Sequence, residues 1–194
     1  KKRVDIFGVI VLSAMTALGG GIVRDILIGH LPPTMFSDYR YVMVAVITSV
    51  IVFIVAYIFR ESYKKSEKMV DEVNNIFDAL GLGVFTVMGA KVAIESGFTV
   101  NGILVVCLAV VTGVGGGLIR DVMLMEIPFV LKKRIYAVAS IIGGTAYHLM
   151  YIHNVNVRWA SVIAVLIVFS VRIFATAFKL DLPKVRFPKE EKSV

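Results

Sequence analysis

The 194-residue sequence carries one constellation of residues twice. Gly19-Gly20-Gly21-Ile22-Val23-Arg24-Asp25 is followed seven residues on by Pro32, and Gly115-Gly116-Gly117-Leu118-Ile119-Arg120-Asp121 is followed at the same distance by Pro128. The copies lie 96 positions apart, and the same offset pairs Leu12 with Leu108 and Thr16 with Thr112. Agreement of this density marks an internal duplication. The residue types narrow the chemistry. There is no HExxH, no phosphate loop and no GxSxG, and the triplets do not fit GxGxxG because no strand precedes them. The expected set of catalytic residues is therefore none, and so is the set of metal ligands. What loosened backbone, hydroxyls and paired charges can do is replace part of the water shell of a passing ion. The candidates for that path are Gly19, Gly20, Gly21, Gly115, Gly116, Gly117, Thr16, Thr112 and Ser13. The candidates for buried charges, serving in gating or in pairing between the repeats, are Arg24, Asp25, Arg120 and Asp121.

The segments that must position these residues belong to a membrane. The chain is 58% apolar and 18% charged, with a mean hydropathy of +0.84, whereas a soluble domain carries about 25% charged residues. One cysteine excludes a disulfide scaffold and a cysteine-rich zinc module, and Cys107 in its uncharged run reads as a buried, unreactive thiol. A crossing helix needs about 20 mostly apolar residues. Six segments qualify, over about 5–29, 41–59, 76–95, 99–125, 135–152 and 159–178. The fold class is an all-α polytopic membrane protein.

The net charge of +7 would suggest nucleic acid in a soluble protein. Here the basic residues alternate by side. Lys1, Lys2 and Arg3 precede the first span; Arg60, Lys64, Lys65 and Lys68 follow the second; Lys132, Lys133 and Arg134 follow the fourth; Lys179, Lys184, Arg186, Lys189 and Lys192 follow the sixth. The loops of the other side carry Arg40 and Arg158. Such bias in short loops makes the first side cytoplasmic, the C-terminus included. The excess charge then reports topology, no nucleic-acid partner is needed, and the tail can touch anionic lipid headgroups. The expected location is the inner, cytoplasmic membrane.

Within a span, three consecutive glycines weaken helix continuity, at about 1 kcal/mol each relative to alanine. A kink or local unwinding is expected, aiming carbonyls at a permeating ion. The alternative is close packing of neighbouring helices, which small residues allow. Adjacent residues on a helix point in different directions, so Arg24 and Asp25 are expected to find partners on other helices. Thr16 and Thr112 can serve a cation or bond the carbonyl four residues earlier. Asp78 lies close to the start of a span and reads as interfacial, while Lys91 and Arg172 read as charges that reach for the interface. His148 and His153 read as interface residues, and His30 as part of a loop.

The offset of 96 places the counterpart of the third span just before residue 1. The expected natural chain therefore has seven spans in a 3+3+1 plan, with the first helix missing from this sequence. Residues 1–60 are then the remainder of the first three-helix repeat, 76–152 the second repeat, 159–178 the seventh helix and 179–194 a basic cytoplasmic tail. A repeat of three spans re-enters the membrane from the opposite face, so the two copies form an inverted repeat about an axis in the membrane plane.

Two copies of Gly-Gly-Gly-x-x-Arg-Asp in this plan resemble the prokaryotic branch of the trimeric intracellular cation channels, the TRIC family, also known as UPF0126 proteins and as a glycine transporter family. The likeness runs from Asp5 to about Phe178. It implies a homotrimer in the lipid membrane, a pore in each subunit around two glycine-kinked helices, and permeation by monovalent cations, mainly potassium with sodium as well. It implies no cofactor beyond the permeating ion and no enzymatic activity. The same architecture also suits a secondary transporter of a small zwitterion such as glycine. Animal members carry a Lys-Glu-Val lipid motif where this chain reads Lys91-Val92-Ala93, so phosphoinositide regulation is not carried over.

Overall fold

A computed structural model describes residues 5–59, 67–132 and 135–178, and these residues are helical with no strand among them. Most of the basic residues that set the expected orientation, namely Lys1 to Arg3, Arg60, Lys64, Lys65, Lys133, Arg134 and those of the tail from Lys179, lie outside the described residues.

The chain opens with α1 (Ile6–Leu27), started by the Asp5 carboxylate, which accepts the Gly8 N–H at 2.7 Å. A single turn, α2 (Thr34–Ser37), leads into α3 (Tyr39–Ile58), capped by Asp38. The long helix α4 (Glu67–Ala93) passes into a wide turn over Ile94–Phe98, which ends where Gly97 takes a left-handed φ of 91° that a side chain would resist. Then come α5 (Gly102–Met123), the one-turn α6 (Phe129–Lys132), α7 (Ile135–Ile152) and α8 (Val157–Ala177). Asn101 and Asn156 accept backbone N–H groups at the starts of α5 and α8. Six of these helices, α1, α3, α4, α5, α7 and α8, are long and apolar enough to cross a membrane.

The duplication reappears in the helix ends. Adding 96 to the bounds of α1 gives those of α5, Gly102–Met123, and the start of α3 maps onto Ile135, the start of α7. Packing follows the same rule, since α1 lies against α3 as α5 lies against α7, and α1 and α5 pack on each other at the centre. Helix α4 packs against α5, α7 and α8, while α8 closes the outer side of α4 and α7.

Small residues let these helices approach closely. One core cluster joins Ala90, Ala93, Ala109, Ala160 and Ala164 with Leu108 and Tyr147, and a second joins Leu82, Val114, Tyr136, Ala139 and Val168. The large apolar side chains of α3, such as Val44, Ile47, Ile51 and Ile58, point outward. In an aqueous protein that pattern would be a liability, but facing lipid it carries no such penalty. Cys107 is exposed on α5 rather than buried, because the inward face of that helix is taken by Val105, Leu108 and Ala109.

Candidate functional site: a glycine crossing beside a polar cavity

Helices α1 and α5 run unbroken through both glycine triplets, so the expected local unwinding is absent. The glycines bring two backbones together instead. A Cβ on Gly116 would collide with the Thr16 carbonyl oxygen, and a Cβ on Gly20 would collide with that of Thr112. The two contacts are images of each other under the 96-residue offset, as a two-fold axis through an antiparallel crossing requires. Gly115 faces the Gly20 backbone, and Gly19 faces the Ile119 side chain. Gly21 and Gly117 look away from the crossing and have room for a methyl group. Thr16 and Thr112 each donate their hydroxyl to the carbonyl four residues back, on Leu12 and Leu108, at 2.6 Å. That bond uses the proton and leaves the oxygen lone pairs free to accept.

The repeated charges also depart from expectation. Arg24 pairs with its own neighbour, donating Nε and Nη2 to Asp25 Oδ1 at 2.9 and 2.7 Å. Arg120 does the same to Asp121 at 2.9 Å. An arginine is long enough to curl back on the next residue although the two point in different directions from the helix, while the aspartate is held in place by a second duty. Asp25 Oδ2 accepts the Thr34 N–H at 2.8 Å and Asp121 Oδ2 the Phe129 N–H at 2.7 Å. The offset maps Phe129 onto Pro33, which has no N–H, so in the first copy the bond moves to the next residue. Each aspartate thus staples the end of its helix to the segment after the proline. The same ends carry matched turns: His30 N–H bonds the Asp25 carbonyl at 2.8 Å and Glu126 N–H the Asp121 carbonyl at 2.9 Å, around Gly29 (φ 75°) and Met125 (φ 52°).

The two brackets differ in their surroundings. Arg24 and Asp25 are sealed, with side chains 8% and 2% exposed, whereas the Arg120 side chain is 31% exposed. Arg120 opens on a cavity of about 760 Å³ enclosed by α1, α4, α5 and α7. Its outer part is lined by Asn74, Asn75 and Glu126, its middle by Asp78, Arg120, Asp121 and Tyr136, and its inner end by Thr16, Gly113, Leu82 and Phe85. A second hollow of about 640 Å³ lies between α1 and α3, with Ser13, Thr48, Ser49, Asp38 and Arg40 among its lining. Of the residues expected to line an ion path, Thr16 and Gly117 reach the polar cavity and Ser13 reaches the second hollow; Gly20 and Gly116 belong to the crossing.

Sequence reasoning missed a third set of charges. Arg172 does not reach for the interface: it is 2% exposed and donates Nη2 to Asp78 Oδ2 at 3.0 Å. Tyr136 donates its hydroxyl to Asp78 Oδ1 at 3.1 Å, and its ring lies under the guanidinium, 4.6 Å from centroid to Cζ. Asp78 is therefore a wall residue of the cavity and not an interfacial one. A signal was available in α8, where Ala160, Ala164, Val168, Arg172 and Ala175 recur at helical spacing and mark a buried stripe that includes the arginine. Lys91, by contrast, is half exposed and sits 3.6 Å from Glu95 one turn on. His148 lies beside Gly102 on α5 and belongs to no metal cluster among the described residues.

Inverted helix pairs crossing at the centre, with a polar cavity running in from one face, are the architecture of a multi-pass membrane transport protein. The chain belongs to the family described as Glycine transporter, whose model matches residues 1–57 and 75–152. It is 36% identical over 187 residues to the UPF0126 inner membrane protein YadS of Escherichia coli, covering 94% of this chain and 84% of that protein. A UPF0126 membrane protein of Vibrio cholerae is 31% identical over 189 residues, covering 97% and 75%. Among solved structures, a TRIC cation channel studied for its conductance superposes with a TM-score of 0.81 at 34% identity, covering 95% of this chain and 86% of the other. The trimeric intracellular cation channel orthologue from Rhodobacter sphaeroides gives 0.79 at 27% identity, covering 91% and 86%.

Proposed function

We propose that the protein is a cation channel rather than an enzyme, passing potassium and also sodium, and working as a homotrimer with one pathway in each subunit. The observation that carries this reading is the polar cavity beside the glycine crossing, in a chain similar across nearly its full length to TRIC cation channels. Asp78, Asp121 and Glu126 put three carboxylates on the cavity against the guanidinium of Arg120, with Arg172 behind the wall. A cavity of that balance favours cations over anions in a chain whose overall charge is +7. The hydroxyl oxygen of Thr16 offers lone pairs at the inner end.

The glycine triplets act in this scheme by holding α1 and α5 in contact, so the pathway runs beside the crossing and not through broken helices. Residues up to 60 and 76–152 form the two repeats, and 159–178 is the additional helix that backs the cavity wall. In this scheme the basic residues lie on the cytoplasmic side, with the cavity mouth and the C-terminus on that side of the inner membrane. No cofactor is needed, and the partners are further copies of the chain, lipids and the permeating ion.

The purified protein in a planar lipid bilayer with a potassium chloride gradient should give unitary currents that reverse near the potassium potential. Chemical cross-linking in membranes should give a three-subunit species. A second reading, uptake of glycine, is favoured by the family's description. Silent bilayers with verified reconstitution, together with saturable uptake of radiolabelled glycine by vesicles, would decide for it.

A further inference from the structure

Two ion pairs line the middle of the polar cavity, and they turn opposite ends toward its water. In the Asp78–Arg172 pair the guanidinium is sealed and the carboxylate side chain is 27% exposed; in the Arg120–Asp121 pair the carboxylate is sealed and the guanidinium side chain is 31% exposed. The two pairs come together at Gly117. A Cβ there would lie 3.7 Å from the Tyr136 hydroxyl, which bonds Asp78, and 3.8 Å from Arg120 Nη2. None of the four carboxylate oxygens is bare: Asp78 accepts from Tyr136 and from Arg172, and Asp121 accepts from Arg120 and from the Phe129 N–H.

We propose that Arg120 sets the valence that the pathway accepts, admitting monovalent cations and turning away calcium and magnesium. This rests on the channel reading above. Calcium is held by about six to eight oxygens, carboxylates foremost, and magnesium gives up its own water reluctantly. In the middle of the cavity such an ion would need the oxygens of Asp78 and Asp121, and Arg120 holds Asp121 with Nε and Nη2 while showing its own charge to the water. The repulsion it exerts doubles with the valence of the ion. A potassium ion needs only oxygen dipoles, which the Thr16 hydroxyl offers further in. Arg24 forms the same bracket in the first repeat but is sealed away from the cavity, so of the two motif arginines it is Arg120 that meets the ion.

Reversal potentials in planar bilayers, with potassium chloride on one side and magnesium or calcium chloride on the other, test the proposal. The wild type should favour potassium strongly. Arg120→Gln should raise the permeability of both divalent ions relative to potassium by about tenfold, since the charge that repels them is gone. Millimolar magnesium on the cavity side should then block its potassium current and leave that of the wild type untouched, because Asp121 is unmasked. Arg120→Lys, which keeps the charge, should keep the exclusion. Arg120→Gln/Asp121→Asn retains an acceptor for the Phe129 N–H and serves if the single variant does not fold; it should pass divalent ions without being blocked, as the carboxylate that would hold them is gone. Conducting Arg120→Gln or Arg120→Gln/Asp121→Asn channels with the relative divalent permeability of the wild type would overturn the role of Arg120 while leaving the channel standing. So would a wild type that passes magnesium as readily as potassium. A silent wild type with verified reconstitution overturns the channel reading and this inference with it.

Discussion

The carbonyl oxygen of Thr16 occupies the space that any side chain on Gly116 would need. Its image, the Thr112 carbonyl against Gly20, repeats the contact across the two-fold axis. The centre of the protein is thus a place where two helix backbones touch with nothing between them, and the packing of the two repeats depends on that spacing.

Gly116→Ala and Gly20→Ala should each destabilise the protein by about 3 kcal/mol or more, since the clash is with backbone that cannot rotate away. Gly117→Ala and Gly21→Ala, whose added methyl would meet only ordinary contacts, should melt close to the wild type. Thermal unfolding in detergent, followed by size-exclusion chromatography, checks all four. A Gly116→Ala that melts with the wild type would overturn the close-approach role of that glycine.

Removing either motif aspartate has unequal consequences. Asp25→Ala leaves Arg24 buried and the Thr34 N–H without its acceptor, a loss of about 3–5 kcal/mol. Asp121→Ala should cost less, because Arg120 can turn to the water of the cavity. Expression level and melting temperature, compared side by side, should rank Asp25→Ala well below Asp121→Ala.

The Asp78–Arg172 pair joins the outer helix α8 to the cavity wall. Asp78→Ala strands a guanidinium that is 2% exposed and should be strongly destabilising, again by about 3–5 kcal/mol. Arg172→Met leaves Asp78, whose side chain is 27% exposed, beside the cavity and should be milder. The double variant Asp78→Ala/Arg172→Met should recover much of the stability lost in Asp78→Ala, which a double-mutant cycle by thermal unfolding measures.

Met125 adopts at the end of α5 the left-handed backbone that Gly29 adopts at the end of α1. Met125→Gly should therefore stabilise the fold by about 1 kcal/mol, and Gly29→Ala should destabilise it by a similar amount. Both changes lie outside the cavity's charged middle, so unitary conductance should stay at the wild-type value while the melting temperature moves.

The membrane spans were legible because hydropathy reports contact with lipid directly: the segment expected over 135–152 is α7, and the ends of the spans expected over 5–29 and 99–125 fall within three residues of those of α1 and α5. Hydropathy does not report helicity beyond the lipid, which is why α4 begins at Glu67 and not at 76. The duplication was equally plain, since identical residues at a fixed offset need no structural knowledge. The site was less legible. Whether three glycines break a helix or let another helix in depends on what lies opposite, and the carbonyls of Thr16 and Thr112 that decide it are far away in sequence. The partner of Arg172 lies 94 residues away, and the curl of Arg24 onto Asp25 is a choice of rotamer that spacing alone leaves open.

Two copies of one motif, sealed around Arg24 and wet around Arg120, have a consequence for how the molecule meets an electric field. An object made of two equal halves turned end over end would respond alike to a voltage of either sign. Unequal burial of the two brackets removes that equality, since the Arg24 guanidinium is sealed among helices while that of Arg120 opens on the cavity. The duplication supplies the scaffold, and its imperfection supplies a direction.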